Sequence, residues 1–335
     1  MEKDWEYCGC EVGGRFFLGP MAAYTDIAYR MLCRESGAAM CFTEFSNAEG
    51  IVRGLPESLR LMKTCRKEMP VGIQIFGSNE KSMAQAVRII NRQVKDGGLC
   101  ASCIDINFGC PSGSVVRAGA GSALLRKPEK MAAIARACVE ASELPISAKI
   151  RAGWSKDDSL ALALSLEKAG VAGLTIHWRT AIEGRGRQGG WGGLRHVKEA
   201  LSIPLIGNGG AATPELAVKF LLESGCDAVM ISSSALGNPG IFQAANALLE
   251  GKAPEPSVWE KKLHWFRRYR LLAEAWGVLS EKRLRLHAQE FLTGHRGVKD
   301  ARKMLNGAKT IGEIAGIMEN FSPAPSAPLG CAKAD

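Results

Sequence analysis

From Phe16 to Ile231 the chain alternates between short apolar runs rich in Val, Ile and Phe and longer stretches whose apolar positions recur at helical spacing. The eight runs are Phe16–Gly19, Cys41–Glu44, Val71–Phe76, Ile104–Asn107, Ile146–Ile150, Leu174–His177, Leu205–Asn208 and Ala228–Ile231. Runs this short suit strands buried on both faces, and the stretches between them suit amphipathic helices. Several helical stretches end in glycine just before the next run: Glu35-Ser-Gly37, Asp96-Gly-Gly98, Lys168-Ala-Gly170 and Glu223-Ser-Gly225. Glycine accepts the left-handed conformation that closes a helix at no steric cost. Strand and helix alternating eight times predict an α/β fold, a (β/α)8 TIM barrel. A doubly wound open sheet is the alternative, but its glycine-rich first turn is missing, since the first run ends in Gly19-Pro-Met21.

The C-terminal ends of the runs break the apolar pattern. They carry Glu44, Gln74, Asn107, Lys149, Arg151, His177, Asn208 and Ser232. A buried polar group without a partner costs about 1–3 kcal/mol, so a ring of them implies a wet or ligand-filled mouth. That end of the barrel is where the fold builds its sites. Taken singly, each of these residues also fits a satisfied structural role.

Composition narrows the class. The 335 residues are 46% hydrophobic and 23% charged, an ordinary globular balance that excludes a disordered, fibrous or disulfide-scaffold protein. The first twenty residues hold four acids and no apolar stretch of signal-peptide length. No segment approaches the ~18 apolar residues of a membrane span. A soluble cytoplasmic protein with no membrane contact is expected, as monomer or weak dimer.

The net charge of +9 is uneven, because residues 252–335 carry 15 Lys+Arg against 9 Asp+Glu. They follow the break Gly251-Lys-Ala-Pro-Glu-Pro-Ser257, so a boundary is expected there, with a catalytic domain over 1–251 and a smaller domain over 252–335. Such a basic excess reads either as a solvated helix face or as a surface for a polyanion. Trp265, Phe266, Tyr269 and Trp276 lie among the basic residues at helical spacing, which fits core better than stacking platform.

Two loops carry phosphate-binding chemistry. Asn208-Gly-Gly-Ala211 follows the seventh run and Ser232-Ser-Ser-Ala-Leu-Gly-Asn-Pro239 the eighth. Barrels bind phosphate between these loops, where glycine lets backbone N–H groups approach an anion and serines add hydroxyl donors. A plain pair of turns is the alternative. Lys149 then falls beside the ring of a bound cofactor, where an ammonium suits the anion of a reduced flavin; an ordinary ion-pair partner is the other reading. Cys110 leaves the fourth run in the glycine-rich stretch Asp105-Ile-Asn-Phe-Gly-Cys-Pro-Ser-Gly113, which runs over the mouth. A thiol placed there is a candidate acid or nucleophile.

Taken together, these segments resemble the tRNA-dihydrouridine synthases. The motifs are Gly19-Pro-Met-Ala-Ala-Tyr-Thr-Asp26, Gln74-Ile-Phe-Gly77, Asp105-Ile-Asn-Phe-Gly-Cys-Pro111, Gly119-Ala-Gly-Ser-Ala-Leu-Leu125, Lys149-Ile-Arg-Ala-Gly-Trp154, His177-Trp-Arg-Thr180, Asn208-Gly-Gly210 and Leu236-Gly-Asn-Pro239. His287, Phe291, Gly294 and Leu305-Asn-Gly-Ala-Lys309 are similar to the family's C-terminal helical domain, which binds tRNA.

The resemblance implies an FMN enzyme that reduces the C5–C6 double bond of a uridine in tRNA, with NADPH recharging the flavin. It implies Cys110 as the acid that protonates C5, with Asn107, Arg151 and Arg179 bordering the substrate. Pro20, Met21, Gln74, Lys149, His177 and Asn208, with the backbone around Gly209, Gly210, Ser232 and Ser233, are then expected to hold FMN. An FMN oxidoreductase of a free pyrimidine or another small unsaturated substrate, and a flavin-free scaffold that binds tRNA or metal, are the competing functions.

The sequence departs from the family pattern in a few places. Ser114 stands where a lysine is usual, Trp178 replaces the glycine after His177, and the loop after it reads Ala181-Ile-Glu-Gly-Arg-Gly-Arg-Gln-Gly-Gly190 with no tyrosine. Gly210 stands for an aspartate and Ser232-Ser233 for a Gly-Arg pair, with Arg179 a candidate to supply the missing guanidinium. Cys8-Gly-Cys10 and Cys100-Ala-Ser-Cys103 both map to the bottom of the barrel. Four thiols there suggest a Zn or Fe–S site, against the alternative of plain reduced thiols. Cys33, Cys41, Cys65, Cys138, Cys226 and Cys331 read as core or incidental positions.

Overall fold

A computed structural model describes residues 5–183, 190–256 and 258–323. Its strands are β1 (Trp5–Tyr7), β2 (Cys10–Val12), β3 (Phe16–Leu18), β4 (Met40–Phe42), β5 (Ser46–Asn47), β6 (Val71–Phe76), β7 (Cys103–Asn107), β8 (Ile146–Gly153), β9 (Gly173–Thr180), β10 (Leu205–Asn208) and β11 (Ala228–Ile231). All pairings from β3 onward are parallel, as a chain of strand–helix units requires. The sheet closes on itself through β11 beside β3, Val229 opposite Phe16, and through β4 beside β6, Cys41 opposite Val71. The short β5 only extends the mouth beside β6. The result is the predicted (β/α)8 barrel.

Helices α1 (Ile27–Glu35), α2 (Ala48–Val52), α3 (Pro56–Leu61), α4 (Glu80–Lys95), α5 (Gly113–Arg117), α6 (Pro128–Ala141), α7 (Ser159–Lys168), α8 (Arg195–Ala200), α9 (Pro214–Ser224) and α10 (Ile241–Leu249) belong to the barrel. The expected glycine closures form, with Gly37, Gly97, Gly170 and Gly225 all at positive φ. Fully buried Ile73, Ile104, Ile150, Leu174 and Ile176 face helix residues such as Val87, Ile90, Ile134 and Leu166 in the main core. Each such side chain contributes about 1.5–3 kcal/mol on leaving water.

Inside the barrel is a second, smaller core. The antiparallel hairpin β1–β2 floors it, and Tyr7 is buried with Phe17, Met40, Phe42, Ile206 and Met230. A Cβ at Gly173 would fall 2.6 Å from the Tyr7 ring, so only glycine leaves room for this plug.

Four further helices follow: α11 (Trp259–Ala275), α12 (Glu281–Phe291), α13 (Val298–Gly307) and α14 (Ile311–Asn320). Ser280 and Thr310 cap α12 and α14 through backbone N–H groups of Arg283 and Glu313. Phe266, Tyr269, Leu284 and Phe291 are buried, so two of the four aromatics noted among the basic residues are core. Trp265 covers Gly240, where a Cβ would fall 2.3 Å from the indole, and Trp276 receives the Lys63 ammonium over its ring. Among the described residues no helix is long and apolar enough to cross a membrane.

Candidate active site

Strand register assembles the mouth. Asn107 pairs with Lys149, Arg151 with His177 and His177 with Asn208, so residues scattered over a hundred positions become neighbours. They surround a cavity of about 280 Å3 lined also by Pro20, Cys110, Gly209, Gly210, Ser232 and Ser233. A second, wider cavity continues from it past Arg151, Arg179 and Glu183.

Cys110 sits half-buried at the rim. The Asn107 carboxamide oxygen accepts the backbone N–H groups of Gly109 (3.2 Å) and Cys110 (2.9 Å), which pins the loop as it leaves β7. The Cys110 carbonyl accepts from the Ser122 amide at 3.0 Å, against Gly121. A Cβ at Gly121 would come within 2.8 Å of that carbonyl. Arg151 braces the same loop, donating to the Gly109 and Thr180 carbonyls at 2.9 Å each.

Behind Asn107 runs a buried chain of hydrogen bonds. Its carboxamide donates to Gln74 Oε1 (2.8 Å), Gln74 Nε2 donates to Asp105 (2.6 Å), and Ser147 donates to the other Asp105 oxygen (2.7 Å). An ionised carboxylate only accepts, so Asp105 sets which way Gln74 and then Asn107 face. Burial raises the Asp105 carboxyl to about 6 against the pull of these donors. Gln74 therefore lies beneath the cavity rather than on its wall. Met21 also lies outside the lining, packed against the core at the turn that Thr25 closes.

Lys149 donates to Asn208 Oδ1 at 3.0 Å. Burial lowers its ammonium to about 8, and the Arg151 cation acts in the same direction. His177 is pushed to about 2 by burial and then by Lys149, Arg151 and Arg179, so its imidazole is neutral at physiological pH. Its Nε2 is buried and has no hydrogen-bond partner among the described residues. The glycine loop beside it has φ of +107° at Gly209 and +89° at Gly210. Trp191, stacked on Phe220, holds that loop by donating to the Gly209 carbonyl at 3.0 Å. Ser234 Oγ ties the two loops through the Ala211 carbonyl, while Ser233 is exposed in a single 3-10 turn.

Trp178 does not reach the mouth. Strand alternation turns it away from His177 and Arg179, and it is buried against Gly193, where a Cβ would meet its ring at 2.4 Å. Ser114 is exposed on α5, its hydroxyl 3.2 Å from that of Ser112. Residues 184–189 of the tyrosine-free loop lie outside the described residues. Phe45, Asp105, Ser147 and Trp191 take part in the site although the strand-end pattern did not mark them. For Asp105 the signal was there, a carboxylate inside an otherwise apolar run.

The expected four-thiolate Zn or Fe–S site is not assembled. Cys8 and Cys103 lie together in the barrel floor, where the adjacent Cys103 thiol and then burial push the Cys8 thiol well above its ordinary range. Cys10 faces the Glu11 carbonyl near the surface, and the amide of Cys100 donates to Thr64. Among the described residues no group of three or more His, Cys, Asp or Glu side chains is placed to hold a metal ion. The hairpin turn explains this, because Cys8 and Gly9, both at positive φ, form the reversal between the strands and leave Cys8 buried in the floor while Cys10 starts the returning strand, only half-buried.

A closed barrel with a cysteine, a lysine and a neutral histidine around a glycine-lined cavity at its C-terminal mouth defines a TIM-barrel enzyme. The family model described as "Dihydrouridine synthase (Dus)" matches residues 17–322, and the chain belongs to that family. A "Probable tRNA-dihydrouridine synthase" of Aquifex aeolicus is 38% identical over 69% of this chain and 72% of its own length. "tRNA-dihydrouridine synthase B" of Pseudomonas aeruginosa is 33% identical over 92% and 93%. A 2-naphthoyl-CoA reductase structure superposes with a TM-score of 0.56 at 12% identity, covering 75% of this chain and 52% of that one, a likeness of fold.

Proposed function

We propose that this protein reduces the C5–C6 double bond of a uridine in tRNA, with FMN as cofactor, NADPH as reductant and Cys110 as the acid. The observation that carries the reading is the Cys110 loop, anchored by Asn107 and Arg151 at the rim of a cavity that contains an unpartnered neutral imidazole and a positive-φ glycine pair. These residues fit a flavin mononucleotide. His177 Nε2 has hydrogen-bonding capacity to offer a ring, Lys149 offers positive charge, and Gly209, Gly210 and Ser233 offer donors to a phosphate.

A reduced flavin held there would supply the hydride that reduction of the C5–C6 bond requires. Cys110 gives its proton to C5 and is left as a thiolate in the cavity that Lys149 and Arg151 also line. Asn107 and Arg151 fix the loop and border the base. A uracil inside a helical stack cannot reach such a cavity, so the base must be turned out of it. The helical domain, with Lys282, Arg296, Lys299 and Lys303 exposed, grips the rest of the tRNA through phosphates.

Cys110→Ala tests the assignment. The variant should take up FMN and be reduced by NADPH at the wild-type rate, while dihydrouridine formation falls by about 10²-fold or more, the scale of a lost general acid. Undiminished dihydrouridine formation would refute the acid role.

A further inference from the structure

Glu44 was expected to face the mouth, yet its carboxylate joins three separate parts of the molecule. Oε1 accepts the Ala23 amide at 2.6 Å, in the loop between β3 and α1. Oε2 accepts both terminal nitrogens of Arg283, at 3.3 and 3.2 Å, from α12 of the helical domain. The next residue along the chain is Phe45, which lines the cavity, and Pro20 of the same β3–α1 loop lines it too.

The junction is largely buried. Glu44 and Asp26 are each 4% exposed, and the Arg283 side chain 13%. Arg283 also binds Asp26 at 2.9 Å, and that carboxylate accepts the Tyr269 hydroxyl at 3.0 Å while capping α1 through the Tyr29 amide. Tyr24, one residue beyond Ala23, donates to Glu290 of α12 at 3.0 Å. Buried carboxylates without their cation are costly, so this arrangement needs the helical domain in place.

Ala23 is the informative residue. It is held at φ +69°, one of only two non-glycine residues with positive φ among the described residues. An L-residue adopts that conformation when its surroundings impose it. What holds its amide here is Glu44, and what holds Glu44 is Arg283.

We propose that Arg283 is a positioning residue for the cavity: through Glu44 it clamps the Ala23 corner and so fixes the Pro20 and Phe45 wall on which cofactor binding depends. The helical domain is then part of the cofactor pocket as well as a nucleic-acid platform. The proposal rests on the FMN reading above.

The test compares wild type, Arg283→Met, Glu44→Ala and each of these with Ala23→Gly added, all in the full chain. Amide exchange over residues 20–25, followed by mass spectrometry without added flavin, should quicken by about tenfold in Arg283→Met and Glu44→Ala. The FMN dissociation constant should rise by about tenfold in both, as expected when a preorganised wall is lost. Glycine adopts the corner without strain, so Ala23→Gly should recover at least about threefold of that affinity in each background. General unfolding would not be repaired by one exposed glycine.

If Arg283→Met does not fold, Arg283→Lys, which reaches one carboxylate but not both, should show the same changes at smaller size. Exchange unchanged in Arg283→Met, or lost affinity that Ala23→Gly leaves unrepaired, overturns the proposal. Absence of FMN uptake by the wild-type chain overturns the cofactor reading instead, and the exchange measurement still decides the clamp.

Discussion

Replacing Gly209 by alanine tests whether the glycine loop and His177 form one cofactor wall. A Cβ there would lie 2.6 Å from His177 Cδ2 and 2.8 Å from Nε2, at a backbone φ of +107°. The backbone strain costs about 1–2 kcal/mol. The overlap is relieved by moving the imidazole, and the space open to it is the cavity of about 280 Å3 that it already lines. The fold should therefore survive, with Tm lower by about 2–8 °C at about 2–4 °C per kcal/mol. The cofactor should not be tolerated as well: a misplaced ring worth about 2–3 kcal/mol raises the FMN dissociation constant by about 30- to 150-fold. A thermal melt and a flavin-fluorescence titration on the same preparation separate the two effects. Affinity within about twofold of wild type, alongside the expected drop in Tm, would refute the placement of His177 on the cofactor wall.

Other predictions concern the buried polar groups. His287 is fully buried between Tyr29 and Tyr269, with ring centroids 4.7 and 4.0 Å away, and burial lowers it from 6.5 to about 4. The folded state then binds fewer protons than the unfolded chain between these values. Stability should fall by roughly 3 kcal/mol as pH drops from 6.5 to 4, and urea midpoints of His287→Phe should lack that part of the slope. Arg30 and Glu68 form a buried pair at 2.7 Å with side chains 1% and 0% exposed. Arg30→Met strands the Glu68 carboxylate and should cost about 3–5 kcal/mol; a loss under about 1 kcal/mol in chemical denaturation would contradict the pair's role. Asp105→Asn removes the acceptor-only end of the chain to Asn107. Dihydrouridine formation should drop about tenfold with FMN uptake retained, and unchanged turnover would count against the relay.

The sequence by itself determined the barrel, because eight apolar runs and their helix-closing glycines are local signals that each strand and helix reads from its own residues. It also marked most of the mouth, since a polar residue ending an apolar strand is visible without knowing its neighbour, and the Cys110 loop carried its own motif. What only the tertiary structure decided is which polar group meets which. Asn107 at the cavity wall engages Gln74, and Gln74 engages Asp105 below it, which keeps Gln74 beneath the cavity. Strand alternation buried Trp178 and kept His177 and Arg179 at the mouth, and the positive-φ turn at Cys8-Gly9 separated Cys8 from Cys10. The pairing of Arg283 with Glu44 spans 239 positions, and no local period encodes it. Periodicity fixes the face a side chain takes on its own element; its partner depends on how distant elements close over one another, and in this chain that closure joins the helical domain to the cavity wall.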